Sequence, residues 1–300
     1  MSRKTFGGVI APIATPFDEA TGEIAPVVLR RVARALMDAG IDGIAVAGST
    51  GEGELLDERE RIQMVEWLRD VVPDECVLIA GTGAESTRAA VRSAREAGRA
   101  GADAVLVRPP AYFGTLMSPQ AFAQHYQRLA DDSPVPVIVY NIPRYTHIAL
   151  QDSVLRALGE HRNVAGFKDS SGDLKVFSAF HQAAPRLVPL MGSGHLFYPA
   201  LELGAQGGIL AMACFAPAPC VELLRAFRNG DKVAAGSLQE KLNPVAREIV
   251  GALGPAGIKA AMDVVGLSCG PVRSPLCEVD NRQRAKIREL LSSAGLKAAA

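Results

Sequence analysis

A chain of 300 residues with 48% hydrophobic content is long enough to bury one large α/β core or two smaller ones. Lysine plus arginine equals aspartate plus glutamate, 32 each, and no block of like charge stands out; this argues against a nucleic-acid surface or a membrane patch and for a small-molecule partner. The longest apolar runs are strand-sized, the start Met-Ser-Arg-Lys-Thr-Phe-Gly-Gly lacks a secretory core, and the five cysteines (Cys76, Cys214, Cys220, Cys269, Cys277) show no CxxC spacing, so reduced thiols in a cytoplasmic protein are expected.

The first strand is expected over residues 8–14. Met37-Asp38-Ala39-Gly40-Ile41-Asp42-Gly43 reads as a helix end and a tight turn feeding the apolar strand Ile44-Ala45-Val46-Ala47. An amphipathic helix over 57–71 leads to a strand at 77–80, and a helix over 86–97 runs through Ala-Gly-Arg-Ala-Gly-Ala-Asp into Ala104-Val105-Leu106-Val107. Further along come a helix at 118–131, strands at 137–140 and 164–168, a helix at 174–183 and a strand at 188–191. Leu203-Gly204-Ala205-Gln206-Gly207-Gly208 then repeats the turn-and-strand pattern into Ile209-Leu210-Ala211. Uniformly apolar strands are those buried on both faces, as in parallel sheets. Eight strands alternating with helices predict a (β/α)8 TIM barrel; a doubly wound open sheet is disfavoured because no G-x-G-x-x-G follows the first strand. The expected division is a catalytic barrel over residues 1–215 and a C-terminal helical extension over 216–300, with helices at 218–228, 232–250, 258–265 and 281–291 and a kink at Leu242-Asn243-Pro244. No Pro/Ser-rich linker separates the two.

In barrels of this kind chemistry sits at the C-terminal ends of the strands. After the second strand, Gly48-Ser49-Thr50-Gly51-Glu52 sets two hydroxyls between glycines, a cradle for a carboxylate or phosphate. Gly81-Thr82-Gly83 reads as a structural turn, and Arg108-Pro109-Pro110-Ala111-Tyr112-Phe113 offers a tyrosine that either packs on the surface or reaches a site. The fifth strand ends in Tyr140-Asn141-Ile142-Pro143, placing a phenol able to relay protons at the mouth. The sixth ends in Gly166-Phe167-Lys168-Asp169; an amine with an apolar wall behind it is disfavoured as ammonium, and a neutral amine attacks ketones. The seventh ends in Gly192-Ser193-Gly194, where missing side chains leave room for a ligand. A lysine, a tyrosine and a carboxylate cradle around one opening are what class I aldol chemistry on a 2-oxo acid requires. The imine is its own electron sink, so no metal or cofactor is expected, and the histidines (His125, His147, His161, His181, His195) show no paired ligand spacing.

These motifs resemble the dihydrodipicolinate synthase / N-acetylneuraminate lyase superfamily over nearly the whole chain, from Gly8-Val9-Ile10-Ala11-Pro12-Ile13-Ala14-Thr15-Pro16-Phe17 through Gly48–Glu52, Ala80–Gly83, Tyr140–Pro143 and Gly166–Asp169. The resemblance implies Lys168 as the Schiff-base residue and Tyr140 as the proton shuttle. It implies Thr50 as the hydroxyl linking Tyr140 to a second tyrosine, which the family takes from a neighbouring subunit and which here aligns with Tyr112. Pyruvate, or the pyruvoyl part of a substrate, is the implied ligand, held by Ser49 and Thr50; the implied assembly is a homotetramer of two tight dimers. The full expected substrate-binding set is Ser49, Thr50, Gly192, Arg144, Tyr145 and Ile209.

Departures from the pattern matter as much. Synthases of the family usually carry an arginine two residues after the Tyr-Asn-x-Pro proline; here that position is Tyr145, Arg144 comes one residue early, and Thr146-His147 follows. Ser49 gives the version of the cradle common among lyases and aldolases. Glu58, Arg61 and Ala111 occupy the places of the lysine-feedback site, so no such feedback is expected. Gly166–Asp173 and Gly270–Leu276 look closest to the 4-hydroxy-2-oxoglutarate aldolase branch. The resemblance thus implies an aldolase or lyase joining or parting pyruvate and an aldehyde. Alternatives are a dihydrodipicolinate synthase, a 2-keto-3-deoxy sugar acid dehydratase and a non-catalytic small-acid-binding barrel.

Overall fold

The computed structural model describes residue 4 and residues 6–296; half of the opening segment read for a secretory core, residues 1–3 and 5, lies outside them. Eight parallel strands close into a barrel in chain order, with β1 (Gly8–Pro12) pairing both β2 (Gly43–Val46) and β8 (Gly207–Ile209). Between them lie β3 (Val77–Gly81), β4 (Ala104–Val107), β5 (Val137–Asn141), β6 (Val164–Asp169) and β7 (Val188–Met191). The uniform hydrophobicity of the strands has a two-sided cause. Ile10, Ala45, Ile79, Leu106, Ile138, Leu190 and Ile209 fill the barrel interior, while Val9, Ile44, Val46, Leu78, Val105, Val107 and Val139 face the helices.

The wall is made of α1 (Pro26–Asp38), α2 (Glu58–Arg69), α3 (Thr87–Arg99), α4 (Pro119–Asp132), the short α5 (Pro143–Thr146), α6 (Asp152–Leu158), α7 (Leu174–Ala183) and α8 (Phe197–Glu202). Their starts are written in the sequence. Asp57 and Glu60 form a capping box at α2, Ser86 and Ser118 cap α3 and α4, and Asp173 caps α7. The strand expected over 8–14 ends at Pro12, although Ile13 N still donates to the Ala45 carbonyl (3.0 Å) and Thr15 Oγ1 donates to the Gly51 carbonyl in the loop after β2.

Helix α9 (Pro217–Arg228) packs against β1 and buries Cys220, Leu223 and Leu224, so it covers the barrel wall beside the β8–β1 closure. The boundary expected at residue 215 therefore separates β8 from the helix that follows it in the wall; on this packing we place the start of the extension after Arg228. Beyond it, the expected 232–250 helix divides. α10 (Lys232–Pro244) gives way to a π-helical stretch, Val245–Gly251, since Pro244 has no N–H for the helical ladder. α11 (Ala252–Val264) starts earlier than expected and breaks at Gly254 (φ 58, ψ −142). A residue before proline is pushed out of the helical region, and glycine before Pro255 escapes to a conformation closed to other residues. α12 (Asn281–Ser293) closes the extension behind an Asp280/Gln283 capping box.

His125 on α4 is 4% exposed and shares a 2.8 Å hydrogen bond between its Nδ1 and Thr87 Oγ1. Burial, with Arg108 nearby, pushes its pKa down to about 4. Between about pH 6.5 and 4 the unfolded chain binds a proton that the folded chain refuses, so stability is present above that window and lost as pH falls through it. Urea denaturation at pH 7 and pH 5 is expected to show this loss, and His125→Phe to flatten it.

Candidate active site

The site begins with a fault in the sheet. β5 and β6 pair Val137 with Val164 but Ile138 with Gly166, so Ala165 is an extra residue, a β-bulge. Strand side chains alternate, and without the bulge Lys168 would share the outward face with Val164. With it, Phe167 points outward onto Phe177 and Phe180, ring centroids 5.7 Å away in each case, and Lys168 points into the mouth. The register then sets Lys168 opposite Tyr140, and its Nζ lies 4.1 Å from the centre of the Tyr140 ring. The lysine is only 6% exposed.

Two devices hold this pair. Asn141 Nδ2 donates to Asp169 Oδ1 (2.7 Å), and Ser171 Oγ donates to Asp169 Oδ2 (2.7 Å), tying the ends of β5 and β6 together. Burial raises the Asp169 pKa, against the pull of the Ser171 and Asn141 hydrogen bonds. Gly192 supplies the second device: a Cβ there would stand 1.9 Å from Ser170 Oγ and 2.9 Å from Lys168 Cε, so only glycine leaves the amine its place.

Across the mouth, the loop after β2 is bent into the cradle. Ala47 (φ 54) and Glu52 (φ 56) both adopt left-handed backbone, at a cost on the order of 1 kcal/mol or more each. The bend persists because its neighbours fit it. A Cβ on Gly53 or Gly81 would stand 2.1 and 2.2 Å from the Ala47 carbonyl oxygen, and Thr15 Oγ1 donates to the Gly51 carbonyl.

Ser49, Thr50, Tyr140, Arg144, Tyr145, Lys168, Gly192 and Ile209 line one cavity of about 330 Å³. Every member of the expected catalytic and substrate-binding sets is there except Tyr112. That residue is 81% exposed on the loop after β4, beside the exposed Phe113 and Leu116, outside this chain's own cavity. Its loop is nonetheless built: Glu85 Oε2 accepts from the amides of Ala111 (2.9 Å) and Tyr112 (2.8 Å), and Arg108 joins Glu85 to Glu54 beside the cradle. Burial would raise the Glu85 pKa, but those amides and Arg108 hold it below the usual carboxylate range.

Among the described residues no aspartate or glutamate lines the cavity, and Arg144 gives it a positive character suited to an anionic ligand. Sequence reasoning missed Ser170, Ser171, Ser193 and His195 as lining residues, although they directly follow strand ends six and seven. Burial lowers the His195 pKa, with Arg247 adding to the effect. It also missed the extension's contribution: Ala246, Val250, Gly254, Pro255 and Ile258 form one wall. Gly254 lies against Tyr145, whose Oη would be 3.2 Å from a Cβ placed there. Nothing in the local pattern of those residues signals a site.

A barrel mouth holding an inward lysine, a tyrosine and a hydroxyl cradle defines a class of lyases, and comparison with known proteins agrees. The family model described as the dihydrodipicolinate synthetase family matches residues 5–294. A 4-hydroxy-tetrahydrodipicolinate synthase of Methanothrix thermoacetophila is 32% identical over 289 residues, covering 96% of each chain. An uncharacterized DapA-like lyase of Halobacterium salinarum is 37% identical over 289 residues, 96% of this chain and 94% of its own. Among solved structures, the dihydrodipicolinate synthase of Acinetobacter baumannii complexed with pyruvate superposes with a TM-score of 0.92 at 29% identity, over 97% of this chain and all of that one. This chain belongs to the dihydrodipicolinate synthetase family and is an enzyme of its Schiff-base lyase class.

Gly192→Ala is expected to leave a folded barrel with a displaced amine. Since misplacing a reacting group by about 1 Å costs up to about a hundredfold, the rate at which borohydride traps pyruvate on the variant should fall by about tenfold or more. Stopped trapping with mass detection, beside circular dichroism for the fold, checks it.

Proposed function

We propose that the enzyme cleaves or forms the carbon–carbon bond between pyruvate and an aldehyde, acting on a 2-oxo acid of the 4-hydroxy-2-oxoglutarate type. The observation that carries this reading is the placement of Lys168 Nζ 4.1 Å from the Tyr140 ring centre, in a cavity that also holds Ser49 and Thr50 and, among the described residues, no carboxylate. The Lys168 amine adds to the C2 ketone, and the carbinolamine loses water to give an imine. In the cleavage direction the 4-hydroxyl gives up its proton, the C3–C4 bond breaks, and its electron pair moves toward the imine nitrogen as an enamine while the aldehyde leaves. Protonation of the enamine at C3 and addition of water release pyruvate and the free amine. Tyr140 serves as the proton relay, Ser49 and Thr50 with their amides hold the 2-oxo acid carboxylate, and Ile209 and Gly192 shape the floor around it.

The aldehyde half falls toward Arg144 and Tyr145. Arg144 lies at the rim against the Tyr145 ring (5.6 Å) and makes no ion pair among the described residues, which supports a role in binding a distal carboxylate. The same arginine favours a second reading, condensation of pyruvate with aspartate semialdehyde, the activity implied by the name of the Methanothrix relative. Product analysis with both aldehyde partners separates the two. We also read the enzyme as a cytoplasmic homotetramer in which Tyr112 crosses to a neighbouring site beside Thr50. Its exposure together with Phe113 and Leu116 supports that reading, and five free thiols fit the compartment.

Borohydride reduction with pyruvate is expected to add the reduced pyruvate mass at Lys168, and an unmodified Lys168 peptide would sink the proposal. Tyr140→Phe should lower turnover by about two to four orders of magnitude, the size of a general acid–base contribution, and wild-type rates would remove its role. Mixing inactive Lys168→Ala subunits with Tyr112→Phe subunits should restore part of the activity; no recovery would place Tyr112 outside the shared site.

A further inference from the structure

The loop that carries Ser49 and Thr50 is fastened from an unexpected direction. Glu52, two residues past Thr50, turns its side chain away from the cavity into the protein, where it is 0% exposed. Its Oε1 lies 2.7 Å from Lys259 Nζ, a side chain 2% exposed that arrives from α11 of the extension. Its Oε2 accepts the backbone amide of Arg273 at 2.7 Å. Lys259 also donates to the Pro271 carbonyl at 2.6 Å and sits 4.4 Å from the centre of the Phe17 ring. Arg273 Cζ lies 4.2 Å from the centre of the same ring, and that arginine grips Glu60 through both side-chain oxygens and donates to the Leu55 carbonyl. The cradle loop is thus pinned at Glu52 and just beyond at Leu55, in both cases to residues 259–273 of the extension.

Such an arrangement is an inefficient way to gain stability. Two charges are taken fully out of water, and their mutual attraction at best offsets that cost. It is an efficient way to fix geometry: one carboxylate oxygen is in ion contact with a buried ammonium, without an aligned hydrogen bond, and the other accepts from a backbone amide, so the side chain is held at two points. The loop needs such fixing, because Ala47 and Glu52 are both held in left-handed backbone that a free loop would leave.

We propose that Lys259 and Glu52 are positioning residues, a buried strut through which the C-terminal extension sets the Ser49–Thr50 cradle for the substrate carboxylate. The proposal rests on the reading of that cradle as the carboxylate site. The strut touches no reacting atom, and its effect falls on how tightly the 2-oxo acid is held rather than on the reactivity of Lys168.

The test uses the full-length enzyme and three variants: Lys259→Met, Glu52→Gln and the double variant, in which no buried charge is left unpaired. Hydrogen–deuterium exchange without ligand reads the cradle directly. Each folded variant is expected to exchange residues 47–53 about tenfold faster or more, with β5 and β6 unchanged. Borohydride trapping reads the ligand: half-saturating pyruvate should rise by about tenfold, while the trapped yield at saturation stays at the wild-type level. The double variant should regain the melting temperature lost by the single ones yet keep the loose cradle, a separation that a purely structural pair would not give. Wild-type protection over 47–53 in a folded variant overturns the proposal, as does failure of all three to fold. If wild-type enzyme traps no pyruvate but the exchange changes as expected, the functional reading fails and the strut stands.

Discussion

The bulge at Ala165 decides more of this structure than any single contact. Side chains on a strand have two faces and nothing between. One inserted residue moves Lys168 from the helix-facing side to the mouth and brings Phe167 into the shell, where Val164 already lies. The aromatic packing of Phe167 on Phe177 and Phe180 then works as a keel: turning the lysine outward would also pull a buried ring into the barrel. The apolar shell thereby enforces the position of Lys168 in the strand.

Around that lysine the molecule is arranged by exclusion as much as by contact. Gly192 removes a side chain that would occupy the space of the amine, and Asp169, the nearest carboxylate in sequence, is turned into a hydrogen-bond network with Asn141 and Ser171. A carboxylate facing the cavity would repel an acidic substrate, and among the described residues the lining holds none.

The extension is a structural part of the site. The break at Gly254 and the π-helical stretch before it carry Ala246, Val250 and Pro255 to the cavity wall, and Gly254 meets Tyr145 on the loop after β5. Two halves of the cavity are thus built differently. The half around Lys168, Tyr140 and the cradle rests on strand ends and buried polar ties. The half around Arg144 and Tyr145 rests on an exposed short helix and a distant segment, where small changes of sequence redirect side chains.

Local pattern alone determined the barrel: apolar strands at regular intervals, glycine-marked turns and capping residues all point to one architecture, because strand and helix periods are properties of neighbouring residues. It determined most of the cavity as well, since a (β/α)8 barrel obliges Ser49, Thr50, Tyr140, Lys168 and Gly192, each at a strand end, to converge. What the sequence did not carry were relations between distant residues. The strand phase at Ala165 depends on the register with β5, the placement of helix Pro217–Arg228 with the barrel depends on closure between β8 and β1, and the wall from residues 246–258 depends on how the extension folds back. The Glu52–Lys259 pair joins positions 52 and 259, and only burial of both charges in one place reveals it. Periodicity reports which face a residue prefers; which face it meets across the molecule is settled by packing.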